Sequence, residues 1–146
     1  MWDTDGVQHG LIASLTDLGV VHWTTPAFQE VMIGPLAQSA EDGFANTNAI
    51  VAQAGAGTDY AAGLCKAYNA GGYTDWYLPA KNELNQCYNS MQTINTVLGS
   101  NGFQSYSYWS STESNNFSAW FQDFDYGGTS FYNKNNFSAV RAVRRF

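Results

Sequence analysis

From Ala119 to Tyr126 the chain reads AWFQDFDY, an alternation with the period of a β-strand. Successive side chains of a strand point to opposite faces. Trp120, Gln122, Phe124 and Tyr126 therefore share one side, and Ala119, Phe121, Asp123 and Asp125 share the other. Gly127 and Gly128 follow, residues that reach the positive φ angles of a hairpin turn, and Thr129 to Asn133 returns. Ala139 to Phe146 reads as a closing strand with Val140, Ala142 and Phe146 on one face.

Upstream the pattern is different. His9–Leu18 and the apolar Val20–Trp23 read as one or two early strands, and Thr24–Gly34 as a Pro-interrupted connection. Gly43–Ala54 carries Ala, Ile and Val at helical spacing. Tyr60–Tyr68 reads as a short helix stopped by Asn69, Ala70, Gly71 and Gly72. Trp76–Leu78 reads as a short buried strand. After Pro79, residues Leu84, Cys87, Tyr88 and Met91 form one apolar helix face. Glu83 stands where a capping-box acid would, but Ala80 has no side-chain oxygen to complete the box. Early helices and a strand-rich end predict one α+β domain over residues 1–146, with two or three helices and a C-terminal antiparallel sheet. Trp76, Leu84, Trp109, Trp120 and Val140 are its expected core.

The closing third is unusual in composition. Thirteen of the 23 aromatic residues lie between Asn101 and Phe146, among Asn, Ser, Asp and Gly rather than aliphatic residues. Rigid rings set among small polar groups are the composition of a recognition surface. Phe117, Phe121, Tyr126, Phe131, Tyr132 and Phe137 are too many rings for one small core, so at least half should be partly exposed. Exposed rings in such number imply a partner that covers them. Trp109 and Trp120 read as core rather than as sugar-stacking platforms.

Charge narrows the partner classes. Residues 1–100 hold nine acids and two bases, whereas residues 101–146 hold three acids and four bases. An acidic body argues against nucleic acid. No apolar run approaches the roughly 20 residues of a membrane span, and Trp2, Asp3, Thr4 and Asp5 do not begin a secretory signal. Arg141, Arg144 and Arg145 are expected to pair with the acidic body at the surface. Cys65 and Cys87 fit no metal spacing and read as buried free thiols, with a bridge between adjacent helices as the alternative. His9 and His22 also fit no metal motif. Asp123 and Asp125 could form a carboxylate pair or a calcium site, but no third acid stands near, so surface or ligand-contact roles are expected. No nucleophile–base pair emerges, and neither a cofactor nor a metal is expected; the chain reads as a non-enzyme.

The strings GGYTDWYLPAKNEL (71–84), YWSSTE (108–113), AWFQDF (119–124) and VRAVRRF (140–146), with HGLI (9–12) and DGFANTNAI (42–50), resemble the Lcl C-terminal domain family, also called DUF1566. The resemblance runs over nearly the whole chain. Ala80 departs from it, since the family usually has Ser there. It implies a C-type-lectin-like fold at the end of a surface adhesin or a phage fibre, hence an extracellular or virion location. It also implies a homotrimer or a monomer excised from one, and a protein or glycan receptor as partner. Two other roles share this resemblance: a structural head that trimerises a fibre, and an enzyme of the formylglycine-generating type, which would need a reactive cysteine pair in a cleft.

Some such domains resemble the variable proteins of diversity-generating retroelements, in which adenines are randomised, chiefly in Asn codons. Changing the first two bases of AAC or AAT never yields Trp, Gln, Glu, Lys or Met. Between Ser114 and Ser138 those types occur only at Trp120, Gln122 and Lys134. The resemblance thus implies a variable region at about 105–138. Its expected binding face comprises Ser114, Asn115, Asn116, Phe117, Ser118, Phe121, Asp123, Asp125, Tyr126, Gly128, Ser130, Phe131, Tyr132, Asn133, Asn135, Asn136, Phe137 and Ser138. Trp109, Trp120, Gln122 and Phe124 would be the scaffold beneath.

Overall fold

The computed structural model describes Gly6 and residues 8–146. It is an α+β fold. Strands β1 (Leu11–Ala13) and β2 (Gly19–Val21) come first, then helices α1 (Gly43–Ala54), α2 (Ala61–Ala67), α3 (Lys81–Asn89) and α4 (Met91–Leu98). Strands β3 (Ser107–Glu113), β4 (Ser118–Asp123), β5 (Thr129–Asn133), β6 (Ser138–Val140) and β7 (Val143–Arg145) complete the chain. The main sheet has the order β2-β6-β3-β4-β5, antiparallel except where β3 meets β6 through Tyr108 and Ala139. A second ribbon pairs β1 with β7.

Helices cover both faces of the main sheet. On one face Trp109, Ala119, Phe121 and Val140 join Ile50 of α1 and Ala61, Ala62 and Cys65 of α2. On the other, Tyr108, Phe124 and Ala139 join Leu84 and Cys87 of α3 and the nearby Phe103. Each large apolar side chain buried this way stabilises the fold by about 1.5–3 kcal/mol. Trp76 and Leu78 enter the first cluster and Tyr77 the second, so this segment alternates like a strand. It is reduced to one antiparallel bridge, in which Tyr77 and Val143 exchange two 2.9 Å hydrogen bonds.

Helix α1 spans the predicted residues, because Asp42 Oδ1 accepts from Ala45 N–H at its start. The helix count is four among the described residues, not two or three. Met91 belongs to α4, since the helix is interrupted at Ser90. The start of α3 is completed from elsewhere in the chain. Glu83 Oε2 accepts from Ala80 N–H at 2.9 Å, and the hydroxyl that Ala80 lacks is replaced by Thr112 Oγ1 on β3, which accepts from Lys81 N–H. The closing strand is two strands, β6 and β7, in different sheets. Val140 and Ala142 are buried, but Phe146 is half-exposed rather than on their inner face.

Arg144 pairs with Asp75, and Arg145 with Glu83, as the charge distribution predicts. Arg141 corrects that reading in one respect. Its guanidinium is buried, with Nε 2.8 Å from Asp17 Oδ1 and further bonds to the carbonyls of Ser14 and Asn101. Cys65 and Cys87 are free and lie in separate cores. No described helix is long and apolar enough to cross a membrane.

Candidate binding face

The expected face is carried by β5 and by the three turns that flank β4 and β5. β5 is the edge strand of the main sheet, and all five of its residues are exposed. Of the six rings in question, Phe117, Tyr126, Phe131, Tyr132 and Phe137 are exposed, from 37% for Tyr132 to 86% for Tyr126. Phe121 is the exception. It is 6% exposed, facing the core of α1 and α2, and the Tyr132 ring stacks on it at 3.8 Å. Both sides of β4 are covered by helices, so the alternation marks two buried faces rather than one. Ser118 and Ser138 are also buried, which removes them with Phe121 from the exposed surface.

The three residues of the 114–138 segment whose types adenine mutagenesis of Asn codons cannot produce have structural contacts. Gln122 is buried, and its Nε2 donates to Gly127 O across the hairpin turn. Lys134 is buried, its Nζ 2.7 Å from Glu113 Oε1 and 2.9 Å from Val31 O. Burial pushes the Lys134 ammonium below its usual pKa, and the Glu113 carboxylate opposes that shift. Trp120, expected in the core, is half-buried instead. The Lys81 ammonium sits 4.2 Å over its ring and Phe131 meets it edge-on. Trp109 is fully buried, its Nε1 donating to Val21 O.

The hairpin turn is held by its own groups. Asp123 Oδ1 accepts from Asp125 N–H and Tyr126 N–H, an Asx-turn. The Asp123 carboxylate is thereby engaged by backbone, and Asp125 and Tyr126 project outward. Gly127 has φ +83°, and a Cβ there would collide with the Tyr88 hydroxyl. Gly128 needs no positive φ and opens on empty space, so only one of the two glycines answers the turn's demand.

At the other end of β4 the face folds into a cleft of about 700 Å³. Asn115, Phe117, Ser118, Asn133 and Asn135 form one wall, and Pro26, Ala27, Gln29, Glu30 and Val31 form the other. The second wall was not legible in the sequence, since it lies some hundred residues upstream of the first. The buried Lys134–Glu113 pair joins the two. Lys134 Nζ donates to Val31 O, while the Glu113 carboxylate accepts from Ile33 N–H and Gly34 N–H. A lone lysine in an Asn-rich turn was the available signal. On the sheet side, Ser114 N–H and Asn115 N–H donate to Ser118 O, closing the turn that contains Asn116. Asn136 N–H closes the opposite turn onto Asn133 O.

Tyr132, Phe137 and Ser138 line a separate hollow of about 470 Å³ with Val20 and Tyr106. His22 packs against Phe137 with ring centroids 4.1 Å apart, a structural role for that histidine. Asp125, Tyr126, Gly128, Ser130 and Phe131 belong to neither concavity. Burial raises both thiols, Cys87 to about 12, so neither is an activated nucleophile. Among the described residues no three His, Cys, Asp or Glu side chains gather to hold a metal.

The crystal structure of a fimbrial protein from Bacteroides ovatus ATCC 8483 has a similar fold. It aligns with a TM-score of 0.64 and 20% sequence identity, over 95% of this chain. The chain spans 36% of that protein's length. No curated protein matches the chain. Residues 20–144, which hold all but the first residue of the five-stranded sheet, the four described helices and the exposed face, match the Lcl C-terminal domain family, and the chain belongs to that family.

Proposed function

We propose that the chain is a ligand- or receptor-binding module of a cell or virion surface, built on a C-type-lectin-like scaffold. Its 114–138 face is diversified by adenine-directed mutagenesis. One observation carries the reading. Five permitted rings stand exposed on β5 and the three turns that flank β4 and β5, while Gln122 and Lys134, of excluded types, are buried and Trp120 is packed under Phe131 and Lys81. A surface that must change needs a scaffold that cannot, and this division supplies both. The partner is a protein or glycan receptor. A fibre tip or an adhesin head is the setting, as a homotrimer or a monomer, and the fimbrial likeness is compatible with a surface adhesin.

The module is not an enzyme in this reading. A formylglycine-type mechanism needs a reactive cysteine pair in a cleft, and Cys65 and Cys87 are buried in two different cores. An undiversified trimerising head is the competing role, and it predicts no ligand affinity at β5. Binding of the purified domain to a panel of intact bacterial and animal cells tests this. Phe131→Ala and Phe137→Ala should each reduce binding by tenfold or more, as aromatic hot spots typically cost about 2 kcal/mol when truncated. Cell binding indifferent to both changes, or no binding at all, counts against the module.

A further inference from the structure

We propose that the cleft between Pro26–Val31 and the turns at Asn115–Ser118 and Asn133–Asn135 binds an uncharged oligosaccharide. This rests on the binding-module reading and narrows it to a ligand class at one place on the face.

The cleft's volume of about 700 Å³ is that of a small-molecule site. Its polar equipment is mostly amide. Gln29, Asn115, Asn133 and Asn135 each carry both a donor and an acceptor group. A sugar hydroxyl also donates and accepts, so amides answer it in either sense. Two of these amides are already oriented. Asn115 Oδ1 accepts from Phe117 N–H at 2.8 Å and Ser118 N–H at 3.0 Å. Asn133 Oδ1 accepts from Ser118 Oγ at 3.4 Å. In both, the NH₂ group remains unspent. The side chains of Gln29 and Asn135 make no hydrogen bond among the described residues. Four amides thus line one cleft, two of them held by the protein's own bonds, and orientation before binding lowers the entropic cost of association.

Phe117 supplies the other half of the chemistry. Its ring is 51% exposed on the cleft wall, an apolar platform for the C–H face of a pyranose. The charges exclude the main alternative glycans. Glu30 is the one ionisable side chain in the lining. The nearby Lys134 ammonium is buried against Glu113 and Val31 O, so among the described residues no cation faces the cleft to pair with a sulfate or a sialic carboxylate. A peptide is also poorly served. The Asn133 carbonyl is taken by Asn136 N–H, which blocks strand addition at this end of β5. The opposite wall is tied to the sheet side at Val31 by the same Lys134–Glu113 pair.

The test uses a printed array of neutral, sialylated and sulfated oligosaccharides, with the purified domain as probe. Retained glycans should be uncharged. Gln29→Ala and Asn135→Ala should each weaken retention by about tenfold, the scale of one hydrogen bond to an oriented polar group. Phe117→Ala should weaken it about fivefold, and Phe117→Trp should restore it. Val97→Ala, on the exposed side of α4, should change nothing. Retention of sulfated or sialylated glycans alone, or of neutral glycans by all the cleft variants alike, overturns the proposal. A parallel arm measures binding to intact cells before and after periodate oxidation of their sugars. Binding that survives periodate yet falls with Phe131→Ala overturns the saccharide while the binding module stands. A domain that binds neither array nor cells defeats both.

Discussion

Lys134 Nζ lies 2.7 Å from Glu113 Oε1, and neither side chain reaches solvent. The pair links the turn after β5 to the end of β3, and through Val31, Ile33 and Gly34 it fixes the upstream wall of the cleft. Removing one member of a buried pair leaves the other charge uncompensated, at a cost of about 3–5 kcal/mol. Lys134→Met should therefore lower the urea midpoint strongly. Glu113→Gln with Lys134→Met should cost clearly less than the sum of the two single changes, because no lone charge remains. Additive costs in that double-mutant cycle would show that the contact contributes no coupling.

Phe121 and Phe131 make a matched comparison on neighbouring strands. Phe121 is 6% exposed and stacked on Tyr132, so Phe121→Ala should destabilise by about 3–5 kcal/mol as a core truncation. Phe131 is 52% exposed, and Phe131→Ala should cost under about 1 kcal/mol. Chemical denaturation of both variants checks this, and equal losses would contradict the burial assignment.

Much of this fold was legible in the sequence. The helical spacing after Gly43 marked α1, and the Gly-rich stop marked the end of α2. α4 was not legible because none of its residues is fully buried: Met91 and Ile94 only graze the core, and Val97 is exposed. The face was legible in part. Composition pointed to exposed rings, and five of six are exposed. The strand period could not say which side of β4 was outward, because α1 and α2 cover one side and α3 the other. The cleft's second wall depends on contacts such as Lys134 to Val31, which no local pattern encodes.

The two hairpin glycines should respond differently to the same change. Gly127→Ala meets both a positive φ and the Tyr88 hydroxyl, and should destabilise by more than about 1 kcal/mol. Gly128→Ser opens on solvent and should fall within about 0.5 kcal/mol of the parent. Thermal melts of the pair decide, and a harmless Gly127→Ala would mean that the turn adopts another conformation.

Alkaline pH should unfold the domain through its buried phenols and thiols. Burial raises Tyr60 from 10.0 to about 12, with Asp59 adding to the shift. Tyr77 and Tyr108 are raised in the same direction, again mainly by burial. Cys87 rises from 9.0 to about 12, and Cys65 is also raised. Above pH 9 the unfolded chain releases these protons while the native state retains them, so stability falls as pH rises. The contribution is fully present below pH 9 and is lost progressively towards pH 12. Tyrosinate absorbance should show three of the nine tyrosines titrating only with unfolding. Nine phenols ionising together near pH 10 in a folded protein would refute the burial argument.

Sequencing the 3′ end of this gene across many sibling isolates tests the central claim, a changeable face on a fixed scaffold, most directly. The account predicts substitutions concentrated at exposed positions such as Phe117, Tyr126, Phe131 and Phe137, in codons ending in C or T. Trp120, Gln122, Lys134 and the buried Phe121 should stay constant, and a reverse-transcriptase gene with an Asn-rich near-copy of this segment should lie close by. Variation at Trp120, Gln122 and Lys134 as frequent as at the exposed rings, or none at those rings, would contradict it.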